Sequence, residues 1–280
     1  MREPKKLALY GMEFDPFLPS LPPKALWRPP DIEAFIYRIE NLVLDGGFGL
    51  ITGDPGYGKS KALHLLALHL KDLCDVVVGV MQRPQSALGD FYRELGDIFG
   101  VDLSPANRYG GFKALRARWR AHIKSTLFRP VLLIDEAQEM ATPCLNELRL
   151  LGSAEFDSEI LLTTVLCGDK RLQNRFRSPQ LLPLGSRIRT RLVLEAYDKA
   201  TLTAFLDHIL QQAGAPHLLT EGLRDALVEH AAGSPRVLTT MGAELLAVAA
   251  ARELPRLDEK LFLELYSIQP RTASRPGRKA

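Results

Sequence analysis

Residues 53–60 read Gly53-Asp54-Pro55-Gly56-Tyr57-Gly58-Lys59-Ser60, and an apolar stretch, Phe48-Gly49-Leu50-Ile51-Thr52, leads into them. Each constituent of this G-x-x-x-x-G-K-[ST] pattern has its own physical task. Gly53, Gly56 and Gly58 permit backbone turns that a side chain forbids, so that amide N–H groups can converge on phosphate oxygens. Lys59 brings a compact positive charge to the β- and γ-phosphates, and the Ser60 hydroxyl suits a Mg²⁺ ligand. The apolar spacing of Leu63, Leu66, Ala67 and Leu70 predicts a helix from Ser60 to about Lys71, its positive N-terminus at Ser60 and Lys61 aimed at the same anion. A strand before the loop and a helix after it separate this pattern from a chance Gly-rich turn. The segment implies a nucleoside triphosphate site.

A second stretch bears on that site. Val131-Leu132-Leu133-Ile134 is wholly apolar and ends in Asp135-Glu136. A buried strand of this kind delivers Asp135 at its C-terminal end, where it can complete a Mg²⁺ shell opposite Ser60, with Glu136 next to it to polarise an attacking water. Two acids after a strand also suit the start of a helix; the phosphate loop earlier in the chain favours the catalytic reading.

Outward from these two motifs, apolar strands alternate with helical patterns. Strands are expected over 48–52, 76–80, 131–134, 160–166 and 191–195, with a helix capped by Asp31 and running to about Leu44. Short, fully apolar strands between helices indicate a parallel sheet covered on both faces. From about Asp198 the strands stop, and four helices are expected near 199–213, 220–232, 236–252 and 258–267. Residues 1–30 carry many prolines and aromatics, including Phe14, Pro16, Phe17 and Trp27, and read as an ordered extended lead-in packed on the nucleotide-binding core. Residues 269–280 hold Arg271, Arg275, Arg278 and Lys279 with no acid, which predicts a disordered basic tail. The expected order is lead-in (1–30), α/β subdomain (31–197), helical lid (198–268) and tail.

Composition fits this plan. The chain has 280 residues, 46% hydrophobic and 25% charged, enough for one large domain or two modest ones. A net charge of only +3 excludes a polycation, so any nucleic-acid surface must be local. Cys74, Cys144 and Cys167 lack metal-ligand spacing and read as reduced core residues of a cytoplasmic protein. No signal peptide or membrane-length apolar run is present in the sequence, so a soluble protein is expected.

With these motifs in hand, the chain resembles the AAA+ ATPases, and within them the ExeA/GspA-type ATPases and transposition regulators of the TniB, TnsC and Mu B kind. The likeness runs over about residues 7–255. Its elements are Tyr10-Gly11-Met12 through Pro16-Phe17, the phosphate loop, Leu133-Ile134-Asp135-Glu136-Ala137-Gln138, Asn146-Glu147-Leu148-Arg149-Leu150-Leu151, Val165-Leu166-Cys167-Gly168-Asp169, Ser186-Arg187-Ile188 and Gly233-Ser234-Pro235-Arg236. The resemblance implies an AAA+ P-loop NTPase fold with a small helical lid, ATP and Mg²⁺ as cofactors, and ATPase activity. It implies that Arg236 is a sensor arginine touching the γ-phosphate. Arg187, with Arg189 and then Arg191 as alternatives, is implied as the arginine finger that reaches a neighbouring subunit, which makes the protein a homo-oligomer, ring or filament; the other reading of the three is surface charge. The sensor position at the end of strand 160–167 is open between Thr164 and Asp169. The aromatic lead-in either covers the adenine or packs in a core.

Residues 110–127 predict an amphipathic helix without an acid. Phe112, Leu115, Trp119 and Ile123 form its apolar face, and Lys113, Arg116, Arg120 and Lys124 form a basic stripe beside it, which Arg83 and Arg108 could extend. Such a stripe can follow the phosphates of duplex DNA without reading sequence, and it can equally be a solvated face. Two functions stand against each other. In the first, an ATP-bound oligomer coats DNA, recruits a transposase and is disassembled by hydrolysis. In the second, the ATPase serves assembly of a secretion apparatus, as in ExeA/GspA, for which a membrane span and periplasmic module beyond the lid are expected. A third reading is a loader or signalling ATPase that binds protein only.

Overall fold

The computed structural model describes residues 3–103 and 107–266; the tail expected at 269–280 lies outside the described residues. The chain divides into two compact units, one holding residues 28–196 and the other joining residues through Trp27 to those from Tyr197 onward.

Among its described residues the first unit has seven strands: β1 (Gly47–Gly53), β2 (Val78–Met81), β3 (Val131–Ile134), β4 (Ser153–Ala154), β5 (Glu159–Ile160), β6 (Thr163–Gly168) and β7 (Ile188–Leu194). Five of them form a parallel sheet in the order β2-β3-β6-β1-β7, and β4 and β5 make a separate antiparallel hairpin. Because all five run the same way, their C-terminal ends gather on one edge, the place where open α/β sheets bind ligands. β3 is wholly buried, as its unbroken apolar run requires. Helices α2 (Pro30–Asp45) and α3 (Lys59–Asp72) pack on one face. Helices α4 (Leu88–Phe99), α5 (Arg108–Thr126), α6 (Thr142–Gly152), α7 (Lys170–Phe176) and α8 (Leu182–Gly185) belong to the other. There Phe91, Leu95, Phe99, Leu115 and Trp119 join Phe48, Leu50, Leu132 and Ile134 in one core. The two-residue alternation of a strand decides which face each side chain serves: Gly49 lies under α2, where a Cβ would sit 2.5 Å from Ile39 Cδ1, while its neighbours Phe48 and Leu50 face the opposite core.

Several boundaries differ from expectation. Strand β2 begins two residues later than 76, and the 160–166 segment divides into the hairpin strand β5 and the sheet strand β6. Strand β7 starts at Ile188, with Ile188, Thr190, Leu192 and Leu194 buried and Arg189, Arg191 and Val193 exposed. It has one neighbour only, β1, so an edge strand with a wet face replaces the fully apolar strand that the other members suggested. Asp31 does not cap α2: Pro29 is the cap residue and Pro30 opens the helix, leaving Asp31 as a first-turn acid.

The second unit contains α1 (Glu3–Tyr10), then, after Tyr197, α9 (Lys199–Gln212), α10 (Glu221–His230), α11 (Pro235–Ala251) and α12 (Glu259–Tyr266). The last four match the helical run expected of a lid. The lead-in differs. It opens with a helix, and its apolar side chains Met12 and Phe17 join the core made by Leu206, Ile209, Leu238, Leu245 and Leu246. Phe17 lies against α11 so closely that a Cβ at Gly242 would be 2.5 Å from its ring, and Trp27 meets His208 edge-on at 5.1 Å. Phe17 and Trp27 are therefore core residues of the helical unit, which is the packing alternative to adenine cover. Buried Asp15 ties the lead-in together, accepting from Lys6 Nζ and, at 2.9 Å, from the Phe17 amide.

Candidate functional site at the C-terminal edge of the sheet

The phosphate loop spans residues 54–58, between β1 and α3. Gly56 and Gly58 take φ of 93° and 91°, the left-handed region where a side chain is strained. Gly53 is required for another reason. A Cβ there would lie 2.5 Å from the Leu194 carbonyl oxygen, so this glycine lets β7 close on β1 rather than turning the chain. Lys59 begins α3 and is 8% exposed, with Nζ donating to the Asp54 carbonyl at 3.0 Å, so the ammonium is folded back into the loop it serves. Ser60 is exposed in the first helical turn. Asp54 accepts from Lys170 Nζ at 2.6 Å, and Thr52 Oγ1 accepts from Gln173 at 2.5 Å, both holding the loop to α7.

Strand register brings in the second motif. Ile134 of β3 pairs with Leu166 of β6, and Cys167 of β6 pairs with Ile51 of β1, so Asp135, Cys167 and the start of the phosphate loop lie side by side. Cys167 is fully buried; burial, then the charge of Asp135 and a hydrogen bond to it, push its thiol far up. The same thiol feels the Lys59 charge, which places Lys59 and Asp135 about one strand. Glu136 follows in a left-handed conformation (φ 50°, ψ 36°). Its amide donates to Asp135 at 2.9 Å, and its carboxylate accepts from Gln138 Nε2 at 2.5 Å. Gln138, 7% exposed, in turn accepts from the Asp169 amide at 3.2 Å. The Glu136 carboxylate is thus held by a side chain that is itself bonded just beyond the end of β6.

The two sequence alternatives for the sensor position lie at different places on β6 and just beyond it. Thr164 sits within β6, paired with Phe48 and Leu132, several residues short of the site. Asp169 caps α7 through the Arg171 amide at 2.8 Å and is bonded by the Arg171 side chain. The Asp169 carboxyl also feels the Lys59 charge, and Cys167 lies against Asp135. Sequence reasoning also passed over Gln138, although its place two residues beyond Glu136 was visible.

The other expected residues lie elsewhere. Arg187 precedes β7, and Arg189 and Arg191 lie on its exposed face, beginning at the N-terminal edge of the sheet. Strand β1 spans seven residues, so this edge is about 20 Å from the phosphate loop at roughly 3.3 Å per residue. Arg236 is exposed in the first turn of α11, in the helical unit, behind the Ser234 cap. Of the basic stripe, Lys113 and Lys124 are exposed, but Arg120 is committed to acids, Glu159 at 2.7 Å and Glu155 at 3.4 Å. Arg116 stacks over Phe112 at 4.9 Å, with its Nε buried and without a hydrogen-bond partner among the described residues. The stripe is therefore not the uniform cationic track that the acid-free helix suggested: the acids come from the β4–β5 hairpin. Arg83 is exposed, and its amide donates to Glu94.

The fold is an α/β P-loop NTPase of the AAA+ kind. Residues 43–176 match the family model described as an AAA domain. General secretion pathway protein A of Aeromonas hydrophila is 30% identical over 248 residues, 87% of this chain and 44% of that protein. The chain thus spans less than half the length of this relative. Among solved structures, the ORC2 protein of Aeropyrum pernix in its ADPNP–ADP complexes superposes with a TM-score of 0.67 at 16% identity, over 89% of this chain and 70% of that one. Drosophila ORC bound to DNA gives 0.67 at 14% identity, over 93% and 66%. At these identities the structural likeness is one of fold. The sequence likeness supports an AAA+ ATPase of the ExeA/GspA-like kind.

Among the described residues no helix is long and apolar enough to cross a membrane. Nor do three His, Cys, Asp or Glu side chains there cluster closely enough to hold a metal ion unaided.

Proposed function

We propose that the protein hydrolyses ATP, assembles with further copies of itself to do so, and acts on duplex DNA in the cytoplasm as a regulator of transposition that recruits or activates a transposase. The observation that carries the hydrolytic part is the convergence of Lys59, Asp135 and Glu136 on the C-terminal edge of one sheet. Residues 53–61 cradle the triphosphate, with Lys59 on the β- and γ-phosphates. Ser60 and Asp135 would hold Mg²⁺, which supplies charge neutralisation between those phosphates. Glu136 orients the attacking water and accepts its proton as the new P–O bond forms and the bond to the bridging oxygen breaks, releasing ADP and phosphate. Arg236 contacts the γ-phosphate from its own chain, and Arg187 reaches the site of the next.

Lys113, Lys124 and Arg83 are the exposed cations that support DNA contact, with Arg116 beside them and Arg120 available once its acidic partners are displaced. Hydrolysis then disassembles the DNA-bound oligomer. A second reading, an ATPase that assembles a secretion apparatus through protein partners, draws support from the match to general secretion pathway protein A over 87% of the chain. The experiment is ATP turnover and sedimentation of the purified protein with and without random-sequence duplex DNA across a salt series. Assemblies that need both ATP and DNA and weaken steeply with salt favour the transposition reading. Turnover indifferent to DNA removes it and leaves the secretion reading.

A further inference from the structure

A cradle for a polyanion is poorly served by carboxylates, yet several surround this one. Asp54 lies within the loop, Asp135, Glu136 and Glu139 follow β3, and Asp169 follows β6. Two adjacent side chains at the start of α7 neutralise part of this charge. Arg171 bridges Asp169 and Glu139 at 2.8 Å to each, and Lys170 Nζ bonds the Asp54 carboxylate at 2.6 Å. Asp135 and Glu136, which the hydrolytic reading needs as bare carboxylates, are in no ion pair among the described residues. Their oxygens accept from the Glu136 amide and the Gln138 side chain.

The Asp54 pair differs from the Arg171 bridge in where its acid sits. Asp54 holds two lysines at once: its backbone carbonyl accepts from Lys59 Nζ at 3.0 Å, and its carboxylate accepts from Lys170. An ammonium held at the carbonyl of an aspartate is within reach of that residue's own carboxylate. Without Lys170, Lys59 is the cation already at hand, and a triphosphate would then have to break an ion pair to claim it. The Lys170 and Asp54 side chains are 64% and 40% exposed, and a pair so open adds little to the stability of the fold. Its consequence lies in the field of the loop. The bond to Asp54, and then the charge of Asp54, hold the Lys170 ammonium above the usual lysine range, with smaller contributions from Tyr57 in the loop and Glu195 beyond β7. We propose that Lys170 is a positioning residue of the nucleotide site: by engaging the Asp54 carboxylate it keeps that acid from capturing Lys59 and from repelling the incoming triphosphate. This rests on the ATP-binding reading above, and adds to it a determinant of affinity that lies outside the phosphate-loop pattern.

The test is a mutant cycle on the full chain, read by calorimetric titration with ATP and Mg²⁺ at low and high salt. Lys170→Ala is expected to raise Kd for ATP about 10-fold, the scale of one unscreened charge a few Å from the phosphates, with the melting temperature unchanged. High salt should shrink that penalty, because it is electrostatic. The double variant Asp54→Asn with Lys170→Ala removes the acid together with its partner. It is expected to regain most of the lost affinity, since residue 54 serves the cradle through its main chain, which asparagine keeps. Lys170→Arg, which retains a cation, should bind ATP close to the parent. Were Lys170 only a tether between α7 and the loop, the double variant would lack the tether as well and bind as weakly as Lys170→Ala; that result overturns the proposal. If Lys170→Ala does not fold, Lys170→Met, which keeps most of the aliphatic stem, supplies the same cycle. A parent chain that binds no ATP refutes the nucleotide reading and this inference with it. A parent that binds ATP, with Lys170→Ala its equal, refutes the role of Lys170 alone.

Discussion

The phosphate loop and the basic face of α5 both look functional in the sequence, yet they differ in how much of that promise survives folding. The loop's chemistry is carried by backbone turns and by side chains at strand ends, and adjacent strands fix where those ends fall. Lys59, Asp135 and Glu136 accordingly meet. The α5 stripe depends on charges being free, and that is decided by partners distant in sequence. Glu155 and Glu159, more than thirty positions away in the chain, neutralise Arg120. A motif whose function lies in main-chain shape is legible locally; a charged face is not.

Removing the cation from the first region should have the largest effect. Lys59→Ala is expected to abolish measurable ATP binding in calorimetry while leaving the melting temperature near that of the parent, because among the described residues Lys59 Nζ bonds a loop carbonyl. Retained affinity would put the phosphate contact elsewhere. Gly53→Ala separates the two roles of the loop's glycines. Its Cβ would sit 2.5 Å from the Leu194 carbonyl, so a loss of about 1–3 kcal/mol in unfolding free energy is expected in denaturant melts. The failure should be one of stability first, with affinity lost only as the sheet edge shifts.

The stripe can be sharpened by releasing it. Glu159→Gln frees Arg120, and the salt dependence of DNA binding should then steepen by up to about one phosphate contact. Lys124→Ala should reduce that slope by a similar amount, whereas Arg120→Ala in the parent should change it less. Equal losses for Lys124 and Arg120 would mean the ion pair opens readily, as exposed pairs worth about 0–1 kcal/mol can. The smallest effect concerns the cysteines. Cys74 is exposed, contrary to its reading as a core residue, while Cys144 and Cys167 are buried. Burial, chiefly, raises both buried thiols, so they stay protonated at neutral pH. Iodoacetamide should modify Cys74 in the native protein and the other two only on unfolding, as mass spectrometry would count.

Particular residues show why some of the fold was readable and some was not. Strand β3 appeared at its observed limits because an unbroken apolar run has no other use between two helices. Strand β7 was misplaced at its start because an edge strand alternates polar and apolar residues, which resembles a loop when Arg187, Arg189 and Arg191 are counted as charge. The α1 helix was hidden by the prolines that surround it, and the lead-in's aromatics could not announce which unit they would enter. In the site, Lys59, Asp135 and Glu136 follow from spacing, whereas Gln138 and Cys167 acquire meaning only through the β3–β6 pairing that sets them beside the two acids.

The central claim is that Glu136, held by Gln138 at the end of β3, drives hydrolysis of ATP bound at residues 53–60. The most direct test is a single-turnover measurement with radiolabelled ATP and Mg²⁺, comparing the parent protein with Glu136→Gln. The account predicts that both bind ATP equally and that the variant retains it uncleaved, with a rate lower by about 10²–10⁴-fold. Cleavage at the parent rate by Glu136→Gln would contradict it.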